Sequence, residues 1–214
     1  MVRILSNYLT VKSEADYTFT EKKSRFIGYV KPCKTESDAI DFVNFIKKKH
    51  SDARHNVYAY VLRENNKQRY SDDGEPQGTG GLPVLEVLTK KEITDVCVVV
   101  TRYFGGILLG TGGLTRAYSE GCKGAIENSG IIEMTECDCF SIDCDYGFYN
   151  TLQSILLKFS VGIDESSFSE NVKLSCYINS ADYNKLIIEI TEKFSGKIVP
   201  INNGKKYFPF DIKC

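Results

Sequence analysis

The stretch from Asp95 to Gly113, DVCVVVTRYFGGILLGTGG, constrains the fold more than any other part of the chain. Val96 to Val100 shows no alternation of apolar and polar residues, which predicts a strand covered on both faces, as a central strand under helices would be. Five glycines follow within the nine residues from Gly105 to Gly113. From Leu114 the apolar or small residues recur as Leu114, Ala117, Tyr118, Gly121 and Ala125, a helical period, and Gly130 is placed to stop the helix. The order is therefore buried strand, backbone-exposing loop, helix. Glycines in such a loop serve one of two ends: bringing N–H groups close to an anion at a helix start, or letting the chain turn and the helix sit close to the sheet. The spacing matches neither the GxxxxGK[ST] loop nor GxGxxG. Arg102, at the strand's end beside the loop, adds a cation to the first possibility.

A chain of 214 residues has room for one or two domains, each with its own core. Lys and Arg number 27 against 28 Asp and Glu, so any contact with RNA requires a local basic patch. No run of 18 or more apolar residues is present, and Met1 to Asn7 lacks the apolar core of a signal peptide, which predicts a cytoplasmic protein without a membrane partner. The eight cysteines are scattered and lie mostly within apolar patterns, as free thiols acting as small hydrophobes do. Strand alternation puts Cys144 on the other face from Cys137 and Cys139, and there is no CxxC pair, so no zinc site is expected.

Before the central stretch, Tyr8 to Val11 and Phe26 to Val30 read as two strands around a turn bearing the basic cluster Lys22, Lys23, Arg25. Thr35 opens a helix with Asp38 as its capping-box partner, and Ala39, Phe42, Val43, Ile46 and His50 mark one face. A strand follows from Val57 to Arg63. His50 and His55 are the only histidines. Their spacing does not match a zinc-binding helix; His50 reads as a helix-end residue and His55 as a hydrogen-bonding residue before a strand. Asp72, Asp73 and Glu75, within four residues, suit Mg²⁺, acid/base chemistry, or the fixing of a loop. Gly78, Gly80 and Gly81 then lead into a short helix with Leu82, Leu85 and Leu88 spaced along it, so glycines feed a helix start twice, near residues 79 and 112.

Residues 131 to 139, with Glu133, Glu136 and Asp138, read as a linker. Beyond it Phe140, Ile142, Cys144 and Tyr146 alternate as a strand, and Phe148, Tyr149, Leu152, Ile155, Leu156 and Phe159 form a helical stripe. Val161 to Phe168 and Val172 to Ile178 read as strands. A helix with Tyr183, Ile187, Ile190 and Phe194 facing inward ends at Gly196, and a last strand is expected near Lys197 to Ile201, with Tyr207 to Phe210 as a further candidate. The order βαββαβ is that of a ferredoxin-like sandwich with both helices on one face.

Four ordered segments resemble the YigZ/IMPACT family: Lys22 to Ile27; Ala53 to Asn56 with Tyr58, Ala59 and Tyr60; Asp72 to Thr79; and Val98 to Leu114. The resemblance covers residues 8 to 130, and the tail is similar to the family's extra C-terminal domain. Gln77 and Gly80 depart from the Ser and Ala more usual in bacterial members. The resemblance implies an α+β protein: residues 1–134 with the fold of the second domain of ribosomal protein S-five, and residues 135–214 as a ferredoxin-like βαββαβ domain similar to domain V of elongation factor G. Eukaryotic relatives are described as regulators of the translational stress response.

The leading reading is a translation-associated regulatory or nucleic-acid-binding and ribosome-binding module without catalytic activity, cofactor or metal, whose partner is RNA, the ribosome or a translation-related protein. It predicts a basic surface built from Lys22, Lys23, Arg25, Arg54, Arg69, Arg102 and Arg116. The alternatives are an enzyme or sensor for a small phosphorylated ligand, with Mg²⁺ on the acidic residues, and a pure protein-interaction module. The candidate cleft residues are Arg25, His55, Asn56, Asp72, Asp73, Glu75, Thr79, Arg102, Tyr103, Phe104, Gly105, Gly106, Gly110, Gly112 and Gly113, with residues 102 to 113 as one wall; in the last reading the acidic and glycine segments are purely structural.

Overall fold

A computed structural model describes residues 7–211, which form a mixed α+β protein of two compact units, residues 8–133 and residues 134–210. Cys214 lies outside the described residues.

The first unit contains β1 (Asn7–Val11), β2 (Ala15–Glu21), β3 (Ser24–Pro32), α1 (Glu36–Lys49), β4 (His55–Leu62), β5 (Lys67–Ser71), α2 (Gly81–Lys90), β6 (Val96–Tyr103) and α3 (Thr111–Ser129). Five strands make an antiparallel sheet in the order β2-β3-β6-β4-β5. Ala39, Phe42, Val43 and Ile46 of α1 pack on one face with Ile27, Tyr29, Tyr60, Cys97 and Val99. On the other face Val84, Val87 and Leu88 of α2 and Leu114, Ala117, Tyr118, Cys122 and Ala125 of α3 pack with Phe26, Val57, Ala59, Val98 and Val100. The central strand β6 is thus covered on both sides, which is why its sequence shows no alternation. Close approach of α3 to the sheet is made by glycine outside the loop: a side chain on Gly28 would fall 2.0 Å from the Gly121 carbonyl oxygen.

Local signals match at several points. Thr35 accepts from the Asp38 N–H and Asp38 accepts from the Thr35 N–H, the reciprocal capping box. Gly130, at φ +78°, ends α3. Two strands go beyond the sequence reading. The half-exposed β2 pairs with β3 through a two-residue turn at Lys22 and Lys23, and β5 forms the mostly exposed outer edge beside β4. In α2 the buried face is Val84, Val87 and Leu88, with Leu85 partly buried against the same core and Leu82 exposed, so two of the three spaced leucines pack.

The second unit is built on β7 (Ile131–Cys144), α4 (Tyr146–Lys158), β8 (Gly162–Phe168), β9 (Val172–Asn179), α5 (Ser180–Lys193) and β10 (Ile201–Asp211). The second sheet has five strands in the order β1-β7-β9-β8, with β10 also paired to β7. Phe140, Ile142, Cys144, Leu174, Cys176 and Ile178 face Leu152, Ile155 and Leu156 of α4 and Leu186, Ile190 and Phe194 of α5, so both helices cover one face. Residues 131 to 139 are strand and not linker: Ile132, Met134, Cys137 and Cys139 are buried, and the pairing with β9 begins at Cys137. Tyr146 opens α4 instead of closing the strand, and the last strand begins at Ile201, so Lys197 to Pro200 is not part of it. The seven described cysteines are buried free thiols. Burial pushes the Cys33 and Cys176 thiols up to about 12 and Cys137 up to about 11, which keeps them protonated and unreactive. No described helix is long and apolar enough to cross a membrane.

Candidate functional site

The ends of three adjacent strands bring the predicted residues to one edge of the first unit. Antiparallel register sets Arg25 against Tyr103, Phe26 against Arg102, His55 against Arg102 and Asn56 against Thr101. Because side chains alternate along a strand, Arg102 and His55 share the face under α2 and α3, while Arg25, Asn56, Thr101 and Tyr103 share the α1 face. The predicted cleft residues therefore divide into two sets.

On the α3 face a buried ion pair dominates. Arg102 Nη1 donates to Glu75 Oε1 at 2.7 Å, and the Tyr118 hydroxyl donates to the same oxygen at 2.7 Å. Both side chains of the ion pair are more than nine-tenths buried. Burial, reinforced by the Glu75 carboxylate, holds the Tyr118 phenol far above its ordinary value, so it remains a donor. Arg102 Nη2 lies 3.4 Å from Ser24 Oγ, which also accepts from the Gly105 N–H at 3.2 Å. The guanidinium sits 5.6 Å from the Phe26 ring centroid and 5.4 Å from that of Phe104. Its Nε is buried with no hydrogen-bond partner among the described residues.

His55 reaches the same carboxylate from β4. Its Nδ1 lies 2.9 Å from the Asp73 carbonyl oxygen, which can only accept, so Nδ1 carries a proton. Nε2 faces Glu75 Oε1 at 3.9 Å. Among the described residues the Ser24 hydroxyl lies against two donors, Arg102 Nη2 and the Gly105 N–H.

The three carboxylates of the 72–75 segment do not converge. Asp72 accepts from the N–H groups of Gly78 (2.8 Å), Gly80 (2.9 Å) and Gly81 (2.8 Å) and thereby caps α2. Asp73 accepts from Lys47 Nζ at 2.6 Å and from the Asn56 N–H at 2.7 Å. Glu75 belongs to Arg102. Thr79 is buried and donates to the Pro76 carbonyl at 2.6 Å, and the Asn56 side chain accepts from Thr101 at 2.8 Å. Among the described residues no group of three or more His, Cys, Asp or Glu is arranged to hold a metal ion.

On the α1 face the donors and acceptors form a directed chain. Tyr103 donates to Asp52 Oδ1 at 2.8 Å, so its oxygen accepts from His50 Nδ1–H at 2.9 Å, and His50 Nε2 accepts from the Tyr29 hydroxyl at 2.7 Å. Burial, with the nearby Lys49 charge, lowers the His50 pKa and keeps the ring neutral, as this chain requires. His50 is thus more than a helix-end residue: it fixes Tyr103, over whose ring the Arg25 guanidinium stacks at 4.4 Å. His50, Ser24, Lys47 and Tyr118 are site residues that the sequence reading did not place here. Tyr118 was legible as part of the α3 stripe; the others depend on side-chain pairings made in the fold.

The glycine loop itself lies open. Phe104, Gly106, Ile107, Leu108, Gly110, Thr111 and Gly112 are exposed, while Leu109 is buried. Its root is fixed, since a side chain on Gly105 would fall 2.0 Å from the Lys23 carbonyl oxygen. Gly110, at φ +72°, is the N-cap of α3 and supplies no side-chain cap. Exposed cations surround this edge: Lys22 and Lys23 in the turn before Ser24, Arg25, Arg54 with its guanidinium 5.8 Å from the Phe104 ring, and Arg116 one turn past Gly112. None of these five has a carboxylate partner among the described residues, whereas Lys31, Lys47, Lys67, Lys90 and Arg102 do. Two members of the predicted basic surface are elsewhere. Arg102 is buried and neutralised, and Arg69 sits on the outer strand β5 opposite Tyr60.

The fold and this edge define a two-unit α+β protein, and comparison with known proteins gives its class. An Impact N-terminal domain matches residues 22–126, and a domain of unknown function (DUF1949) matches residues 142–197. The chain is 39% identical over 195 residues to "IMPACT family member YvyE" of Bacillus subtilis (strain 168), covering 91% of this chain and 90% of that one. It is 32% identical over 186 residues to "IMPACT family member YigZ" of Escherichia coli (strain K12), covering 86% and 87%. A crystal structure of a hypothetical protein superposes with a TM-score of 0.60 at 28% identity, covering 92% of this chain and 98% of that one. The chain belongs to the IMPACT family.

Proposed function

We propose that this protein is a non-enzymatic, cytoplasmic module that binds RNA or the ribosome through the glycine-loop edge of its first unit, in a regulatory role in translation. The observation that carries the reading is the meeting of five exposed, unpaired cations with Tyr103 and Phe104 at one edge, because basic residues interleaved with aromatics suit phosphate and base together. Lys22 and Lys23 strengthen it. Both adopt positive φ, +45° and +64°, in a turn where Asn-Gly would be unstrained, so two lysines are held at a conformational cost. Charge is also partitioned: residues 134–211 carry seven Lys and Arg against 11 Asp and Glu, while residues 8–133 carry 18 against 17. Phosphate contact thus belongs to the first unit. Two likenesses of fold accord with the reading. The family resemblance implies the fold of the second domain of ribosomal protein S-five for the first unit and, for the second unit with its βαββαβ order, a ferredoxin-like domain such as domain V of elongation factor G.

Binding of purified ribosomes and ribosomal RNA, measured against salt, tests the proposal. Neutralising five phosphates on single-stranded RNA gives a log–log salt slope of about −3.5, or about a hundredfold loss of affinity between about 50 and 200 mM salt. No retention at the lower salt, or equal retention at both, overturns it.

A second reading, a sensor or enzyme for a small phosphorylated ligand, draws on the uncapped start of α3 beside Arg116. The Mg²⁺ ligands it would recruit are committed elsewhere, Asp72 to backbone N–H groups and Asp73 to Lys47. Millimolar phosphate or nucleotide that protects the protein thermally and shifts the amide signals of Thr111 to Gly113 would favour this reading over the first.

A further inference from the structure

The tip of the glycine loop carries large apolar side chains among cations. Ile107 is 41% exposed and Leu108 82%. A lone exposed leucine needs no explanation, but this one is held outward. The loop is pinned at its root by the Gly105–Ser24 hydrogen bond and at its far end by buried Leu109, so the tip cannot turn Leu108 into the core without breaking an anchor. Beside it Phe104 presents a ring that is 38% exposed, with the Arg54 guanidinium at its face.

Resting on the RNA-binding reading above, we propose that Phe104, Ile107 and Leu108 form an apolar contact element for an unpaired base, and that Lys22, Lys23, Arg25, Arg54 and Arg116 hold the phosphates on either side of it. The ligand class is RNA with unpaired nucleotides, in a loop, bulge or end. A continuous A-form duplex offers phosphates but no base face, because its bases are stacked and its major groove is too narrow for side chains. The unpaired cations around the tip favour a polyanion over an uncharged apolar protein groove as the occupant.

The test compares a stem-loop RNA with a fully paired duplex of equal phosphate number, using the full chain and its Leu108→Ala and Arg54→Ala variants, each first checked for an unchanged melting temperature. The stem-loop should bind about tenfold or more tightly than the duplex, as expected for one base contacted on an apolar surface. Leu108→Ala should lose about fivefold for the stem-loop alone and keep the salt slope, whereas Arg54→Ala should weaken both RNAs and flatten the slope by about 0.7. Equal binding of the two RNAs, or a Leu108→Ala variant with full stem-loop affinity, overturns the base contact and leaves the cationic surface standing. Absence of binding to either RNA at low salt overturns the surface and the base contact together. Loss of a protein partner by Leu108→Ala with RNA affinity intact would reassign the tip to protein and also overturn the inference.

Discussion

The chain opens a helix through glycine twice, and the two openings are chemically opposite. At α2 the Asp72 carboxylate accepts from three backbone donors, those of Gly78, Gly80 and Gly81, so the positive end of that helix is closed by the chain itself. At α3 the N-cap is Gly110, no side chain among the described residues caps it, and Thr111 and Gly112 are exposed among cations. The same residue type therefore serves a closed helix start in one place and an open one in the other. A nearby carboxylate makes the difference, and glycine content alone says nothing about ligands.

The largest effect should come from the pair that joins the two loops. Arg102 lies at the root of the open loop and Glu75 in the loop before the closed helix. Arg102→Ala would leave Glu75 buried without its cation, at a cost of about 4 kcal/mol, visible as a drop of about 10 °C or more in Tm. An apolar double replacement, Arg102→Met with Glu75→Leu, should recover most of that loss. If Arg102→Ala instead kept its Tm and lost only RNA binding, Arg102 would be a ligand residue and not the tie between the loops.

Breaking the closed opening comes next. Asp72→Ala removes a charged acceptor from three N–H groups and should cost about 3 kcal/mol, read from the denaturant midpoint at constant slope. RNA affinity should be unchanged in the fraction that remains folded. Closing the open one should act with the reverse sign. Gly112→Asp places a carboxylate in the first turn of α3, where a side chain has room, and should stabilise the fold by about 1 kcal/mol while weakening RNA binding several-fold. Stabilisation without loss of binding would show that the α3 opening is not used.

The smallest expected effect concerns pH. His50 is held neutral in the chain that fixes Tyr103, with Lys49, Asp52 and Arg25 as the charges around it. Its folded pKa lies below the ordinary value of 6.5, so the unfolded chain takes up the proton first as pH falls. The stability it contributes is complete above 6.5 and is lost as pH falls below it. A modest decline in Tm on acidification, absent in His50→Gln, would check this.

Much of the framework was legible because it rests on local rules. The capping box at Thr35, the doubly covered β6 and the stop at Gly130 each follow from a few neighbouring residues. The strands β2 and β5 escaped because both are half or mostly exposed and rich in polar residues, so their pairing partners define them more than their own pattern does. The acidic run at 133 to 138 suggested a linker for the same reason: charge masked a strand in which Ile132, Met134, Cys137, Cys139 and even Asp138 are buried. Within the site, the sequence placed three acids near a helix start but could not assign them, since the partner of each lies at a different distance along the chain.

By itself the sequence determined the family, the α+β class, the strand–loop–helix unit at residues 95 to 130 and the order βαββαβ in the second half, all of which depend on residue type and period. Only the tertiary structure decided that Glu75, not Asp72 or Asp73, pairs with Arg102, that Arg25 and Arg102 face opposite sides of the sheet, and that His50 fixes Tyr103. The physical reason is antiparallel register: it sets which residues from distant strands share a face, and a shift of one residue would exchange every one of these pairings.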